Sequence, residues 1–299
     1  MAFVFFLFGL LFGSFLNVCI YRMPLELSVV SPRSACPSCG TPISAYDNIP
    51  VLSWIILRGR CRNCRSPISP RYAIVELITG AFFALSSLLG GPGPVAIKLS
   101  VFSFLMIGLV FTDAETKLLP DLLTKPGIGA GLIFSLLVPL EGPAASLLPR
   151  STDWHGVSFL NSLAGAVLGS SFILGIALGY EALRGAEGMG RGDVKLMALI
   201  GAFVGVKLTL LVLLLGSLVG SIFGLLLIMV VFRKRIGRRR SRHPAEAPAI
   251  TRSRAWQSAI LIYRNFEIPF GVFLGTGALV AAFWGDGILR WYLQFFWVR

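Results

Sequence analysis

Acidic residues are scarce in this chain, 14 of 299, so where they stand is informative. One group closes an apolar run: Phe111-Thr112-Asp113-Ala114-Glu115-Thr116-Lys117-Leu118-Leu119-Pro120-Asp121. Another opens one: Gly188-Met189-Gly190-Arg191-Gly192-Asp193-Val194-Lys195-Leu196. Two facing carboxylates can hydrolyse a peptide. One, ionised, takes a proton from water; the other, protonated, polarises the carbonyl; like charges a few Å apart share that proton. Neither a metal nor a nucleophilic side chain is needed. That suits a chain with two histidines, neither near these groups in sequence, and no Gly-x-Ser-x-Gly.

Asp193 and Asp113 are the expected pair. Asp113 directly ends its apolar run, whereas Asp121 follows Pro120 and reads as the cap of the next helix; Glu115 is the other rival. Asp193 opens a helix and Asp113 closes one, so the macrodipole argues for Asp193 as base and Asp113 as acid. Gly190 and Gly192, lacking Cβ, can take positive φ and let the backbone come close to a bound strand. Taken alone, each motif also reads blandly, as a loop with an N-capping Asp or as interfacial charge. The joint pattern favours the dyad.

A second chemistry lies nearer the N-terminus. Cys36-Pro37-Ser38-Cys39 and Cys61-Arg62-Asn63-Cys64 stand in one polar segment. Two Cys-x-x-Cys turns supply the four thiolates of a tetrahedral zinc site, and the neighbouring Arg60, Arg62 and Arg65 favour those thiolates. Four sulfurs leave no open position, so the metal is expected to be structural. Disulfides are the alternative, disfavoured for a cytoplasmic loop. Cys19, inside an apolar run, reads as a small buried hydrophobe.

The elements that must position these groups are membrane helices. Mean hydropathy is +0.79, and 55% of residues are hydrophobic against 14% charged. A soluble domain carries roughly 25% charged residues. Eight apolar spans are expected, at about 2–20, 73–90, 95–112, 121–140, 157–183, 194–206, 208–232 and 266–285, most near the ~20 residues a crossing needs. The sixth is short and either stays half-buried or shares a bend with the seventh. The start of the chain lacks a basic n-region and reads as a retained first helix, not a signal peptide. With 21–72, 113–121, 184–194 and 233–265 on one side, 22 of the 27 basic residues fall there when residues within a turn of each helix end, such as Lys125 and Lys195, are counted. The positive-inside bias then puts the N-terminus outside and the cysteine loop in the cytoplasm. Three units result: helix 1–20, a zinc-binding loop 21–72 and a helical peptidase region 73–299. The basic loop 233–265 is expected to be flexible and to lie on anionic lipid; nucleic-acid binding is not expected. No internal repeat stands out.

The combination resembles the bacterial prepilin peptidases, or type IV leader peptidases. Gly13-Ser-Phe-Leu-Asn17-Val and Ile20-Tyr-Arg22 resemble the family's first motif. Tyr46-Asp-Asn-Ile-Pro-Val-Leu-Ser-Trp54 between the cysteine pairs, then Ile68-Ser-x-Arg71-Tyr and Glu76, continue the likeness. Asp113…Leu119-Pro120-Asp121 and Gly190-x-Gly192-Asp193-x-Lys195-Leu196 look like the two catalytic motifs, and Ile268-Pro-Phe-Gly271 like the last. The resemblance implies an inner-membrane enzyme that cuts basic leaders from prepilins or pseudopilins after a Gly, at the cytoplasmic face. It implies Gly190, Gly192, Lys195, Pro120 and Asp121 as supports of the two Asp. Because the cysteine loop is present, it also implies N-methylation of the new terminus with S-adenosylmethionine. Val272 departs from the Pro that often follows Phe-Gly, and the loop before Ile268 is long; neither is expected to touch the chemistry.

Three other readings compete. A presenilin-type protease shares Gly-x-Gly-Asp but lacks the cysteine loop. An ion-coupled transporter calls for acids at mid-membrane, not at helix ends. A silent zinc-containing assembly protein would tolerate loss of either Asp.

Overall fold

The computed structural model describes residues 1–140, 153–185, 190–242, 248–264 and 269–297. Among them there is no strand, only the isolated bridges Ala35–Pro42 and Arg60–Pro67. The helices are α1 (Ala2–Arg22), α2 (Leu52–Ile56), α3 (Arg71–Gly90), α4 (Pro94–Thr116), α5 (Asp121–Leu137), α6 (Trp154–Arg184), α7 (Arg191–Arg242), α8 (Pro248–Arg264) and α9 (Phe270–Trp297). Local chemistry sets several ends. Gly93 and Pro94 open α4, as a proline in the first turn allows. Lys117, at φ 57°, closes α4, and Gly185, at φ 65°, closes α6.

Among the described residues six helices are long and apolar enough to cross a membrane: α1, α3, α4, α6, α7 and α9. The chain is a multi-pass helical membrane protein, and two features separate these six helices from the eight spans expected. The spans expected at 194–206 and 208–232 lie in the single 52-residue element α7, which breaks at Gly205 (φ 73°, ψ 178°). An unbroken helix of that length would run about 78 Å, far beyond the ~30 Å hydrocarbon layer. So the short sixth span shares a bend with the seventh. The expected fourth span, α5, has only 17 helical residues.

The break has a local cause. A Cβ on Gly205 would lie 2.7 Å from Asn161 Nδ2, and the backbones of Gly165 and Gly201 pass too closely for any side chain. Asn161 Oδ1 accepts the Val206 amide at 3.3 Å, and Ser162 Oγ donates to Ala202 O at 2.5 Å. Small residues thus let α6 and α7 cross nearly backbone to backbone, and side-chain polar groups satisfy what the break exposes.

Helices α4 and α7 form the centre. Helix α4 packs on α1, α3, α5 and α9, and α7 on α5, α6, α8 and α9. Their shared core includes Phe102, Met106, Leu109, Leu199, Ile200 and Phe203, with the Phe102 and Phe203 rings 5.0 Å apart. Outward faces carry exposed Leu, Ile and Phe, such as Leu218, Phe223 and Leu225, as lipid contact requires.

The basic segment 233–265 differs from expectation. Helix α7 runs on through Arg233–Arg242, and α8 folds back against it. Thr251, Ala255 and Ala259 are buried at a spacing of four, a narrow small-residue stripe that allows close packing, and Trp256 meets Phe232 edge-on at 5.5 Å. Arginine and alanine are good helix formers, so packing plus propensity give two helices where composition suggested a loop. Residues 243–247 lie outside the described residues.

Candidate functional site

Asp113 sits in the last turn of α4 and Asp193 in the first turn of α7, so each central helix brings one carboxylate to the same end of the bundle. Both are buried, at 4% and 8% exposure, and close enough to interact electrostatically. Leu119, in the α4–α5 connection, joins the two settings. Its side chain lies 3.1 Å from where a Cβ on Gly192 would stand and 3.4 Å from one on Gly271. Gly190 accepts the Asp193 amide at its carbonyl, 3.1 Å away.

Neither Gly190 nor Gly192 has positive φ; what Gly192 provides is room for Leu119. Gly188 and Met189 lie outside the described residues. The rivals are engaged elsewhere. Asp121 bonds Lys195 Nζ at 2.5 Å and Lys125 Nζ at 2.7 Å, and Glu115 pairs with Arg71. Asp121 is the first residue of α5, and Pro120 occupies the cap position with its carbonyl accepting the Leu123 and Thr124 amides at 3.1 Å. Lys195 therefore ties α7 to α5 beside Asp193.

Asp113 has a partner that the sequence pattern missed. The start of α9 meets it: the Val272 amide donates to Asp113 Oδ2 at 2.9 Å, with the Gly271 amide beside it. A Cβ on Gly271 would stand 2.8 Å from that oxygen. Asp113 ends one helix but faces the N-terminus of another. The dipole argument for Asp193 as base and Asp113 as acid therefore fails, since both carboxylates sit at a helix N-terminus. Val272, expected to stand clear of the site, meets Asp113 directly, and a proline there could not donate. Ile268 lies outside the described residues.

The four sulfurs of Cys36, Cys39, Cys61 and Cys64 lie within 4.8 Å of one another and could hold a metal ion. Cys36 Sγ and Cys64 Sγ are 3.7 Å apart. A tetrahedron with metal–sulfur bonds of ~2.3 Å has edges of ~3.8 Å, so the donor set fits. Two matching turns build it. Cys36 N donates to Thr41 O and Cys61 N to Ser66 O, both at 2.9 Å. Gly40 (φ 69°) and Arg65 (φ 61°) take the same left-handed position. Cys-Pro-Ser-Cys-Gly-Thr-Pro-Ile-Ser (36–44) and Cys-Arg-Asn-Cys-Arg-Ser-Pro-Ile-Ser (61–69) are thus a short repeat, visible in the sequence once the turns are aligned. Amides of Cys39 and Ser38 and the Ser66 hydroxyl pull the Cys36 thiol down to about 6, toward the thiolate a metal needs. Cys19 is buried in the core and free.

Comparison with known proteins gives the lineage. Residues 7–89 match the bacterial peptidase A24 N-terminal domain, and residues 100–225 match the type IV leader peptidase family. The prepilin leader peptidase/N-methyltransferase of Aeromonas hydrophila is 35% identical over 97% of this chain and 93% of its own length. This chain belongs to the type IV leader peptidase family. The like-named proteins of Klebsiella pneumoniae and Myxococcus xanthus are each 41% identical over 67% of this chain, covering 83% and 55% of their own lengths. No solved structure gives a significant match.

In this chain the family-like segments away from Asp113 and Asp193 frame the cysteine loop. Arg62 forms a fork on Asp47, with Nη2 to Oδ1 at 2.6 Å and Nε to Oδ2 at 2.8 Å. Trp54 Nε1 donates to Ile68 O at 3.2 Å. Buried Glu76 of α3 takes the Val51 amide at 2.7 Å, fastening the loop to the helices.

Proposed function

We propose that this chain is a membrane aspartic endopeptidase that removes the basic leader of type IV prepilins or pseudopilins after a Gly, and methylates the new N-terminal amine with S-adenosylmethionine. Asp113 and Asp193 are the catalytic pair. The observation that carries this is the burial of these two carboxylates at one end of the two central helices, while Asp121 and Glu115 are tied to Lys and Arg. One carboxylate takes a proton from water as its oxygen attacks the scissile carbonyl, and the other donates its proton to the carbonyl oxygen. Collapse of the tetrahedral species breaks the C–N bond, and the departing amine takes up a proton. Gly190, Gly192, Pro120, Asp121 and Lys195 hold the pair in register.

Cys36, Cys39, Cys61 and Cys64 hold a structural zinc in the unit 21–72, and 73–299 carries the peptidase. The charge asymmetry of the loops supports a position in the inner membrane with that unit and the dyad facing the cytoplasm. A substrate with an apolar helix after its basic leader then presents its scissile bond at the membrane face. The Arg-rich ends of α7 and α8 suit anionic lipid.

The test uses wild type, Asp113→Asn and Asp193→Asn in membranes with a prepilin whose leader ends in Gly. Leader removal by wild type and its loss by roughly 10³-fold in both folded variants is the expected result. Normal cleavage by either variant overturns the pair. A mass gain of one methyl on the cut product reports the second activity.

A further inference from the structure

Between α1 and α3, at the end of the bundle where the dyad stands, two buried polar atoms have no partner. Asn17 is 3% exposed; its Nδ2 donates to Tyr72 O at 2.9 Å, and its Oδ1 bonds nothing. Arg71 uses Nη1 on Glu115 and lies over the Tyr72 ring at 4.8 Å, yet its buried Nε bonds nothing. An orphan acceptor and an orphan donor thus belong to neighbouring positions of one seam, since Asn17 bonds the carbonyl of Tyr72, the residue that follows Arg71. Buried polar groups are rarely left so. Glu76, one turn further along α3, sets a buried carboxylate on the same seam, braced by the Val51 amide and the Ser14 hydroxyl.

An acceptor backed by a carboxylate, with a guanidinium N–H one residue away, matches a zwitterionic α-amino-acid group. Its ammonium donates to Asn17 Oδ1, and its carboxylate accepts from Arg71 Nε. The geometry points to this seam as the seat of the amino-acid end of S-adenosylmethionine, and so as the methyl-donor site. The inference rests on the methyltransferase reading above. The seam is fastened to both centres: Val51 belongs to the four-cysteine loop, and Glu115, which holds Arg71, stands two residues after Asp113. A methyl donor seated here lies between the loop and the helix that carries the peptidase carboxylate.

The test is equilibrium binding to the full-length protein in nanodiscs. Two probes are compared: S-adenosylhomocysteine, and 5′-methylthioadenosine, which lacks the amino-acid end. Wild type is expected to prefer S-adenosylhomocysteine by about tenfold or more, the worth of one hydrogen bond to a charged group. Asn17→Leu and Arg71→Gln are expected to erase that preference while zinc content and melting temperature hold. Equal binding of the two probes by wild type overturns the site, whether or not the variants fold. Folded variants that keep the wild-type preference overturn it too. Wild type that binds neither probe overturns the methyltransferase reading itself.

Discussion

The four-cysteine loop and the carboxylate pair are built on opposite plans. All four sulfurs come from residues 36–64, on two turns of like sequence whose amides and hydroxyls bond within the same few residues. The carboxylates come from residues 113 and 193, and a third segment, 270–272, supplies the amides that meet one of them. The first centre is local and repeats itself; the second exists only when α4, α7 and α9 are packed. A local centre should fail locally, by losing its turns and with them any metal the four sulfurs hold. A centre made by packing should fail chemically at small displacements, even where the fold survives.

That contrast can be broken by experiment. After the dyad variants themselves, the largest effect is expected from Gly271→Ala. Its Cβ would stand 2.8 Å from Asp113 Oδ2, and moving a reacting group by about 1 Å can cost roughly 10²-fold. Leader cleavage should drop by that order while the protein still purifies as a folded membrane species; unchanged cleavage would show that α9 does not hold the pair. Next comes Cys64→Ser. Zinc content measured by mass spectrometry should fall to background and the loop should become protease-sensitive, with most leader cleavage retained. If cleavage falls as far as in Asp193→Asn, the two centres are not separable.

Smaller effects sharpen the picture within the loop. The Arg62 guanidinium beside Asp47 holds its carboxyl below the usual carboxylate range. A depressed folded-state pKa stabilises the loop above the ordinary value of ~3.9 and stops doing so as pH falls through the lower folded value. Asp47→Asn should therefore loosen the loop at neutral pH, seen as faster proteolysis, and the difference from wild type should vanish in acid. Arg65→Gly is expected to have the smallest effect. Arg65 holds φ 61° where its counterpart is Gly40, so relief of that conformation should raise the loop's melting by no more than about 1 kcal/mol. A loss would mean that the Arg65 side chain, not its backbone, is what matters.

Much of the local centre was legible in the chain. Cys-x-x-Cys spacing singled out the four sulfurs that come together, though the repeat that surrounds them emerged only when the two turns were superposed. The six membrane helices were legible as apolar runs, because lipid demands composition over a length. The bend at Gly205 was legible only as a short run, since the groups that satisfy it, Asn161 and Ser162, come from another helix. The helical hairpin of α7 and α8 was not legible, because an Arg-rich segment looks alike as a loop or as a solvated helix. Only the buried stripe of Thr251, Ala255 and Ala259 distinguishes them.

For the dyad, the sequence by itself determined the candidates: a few acids at the ends of apolar runs, with Asp113 and Asp193 foremost. Composition and helix length fix where such residues stand along the membrane normal, and that much is a one-dimensional property. Which carboxylates are buried together, which are neutralised by Lys195 or Arg71, and which receives the Val272 amide were decided by tertiary structure alone. The physical reason is that a side chain's charge state and reach depend on neighbours far along the chain. The helix-dipole argument from the sequence went wrong for that reason: it could see that Asp113 ends α4, and could not see that α9 begins against it.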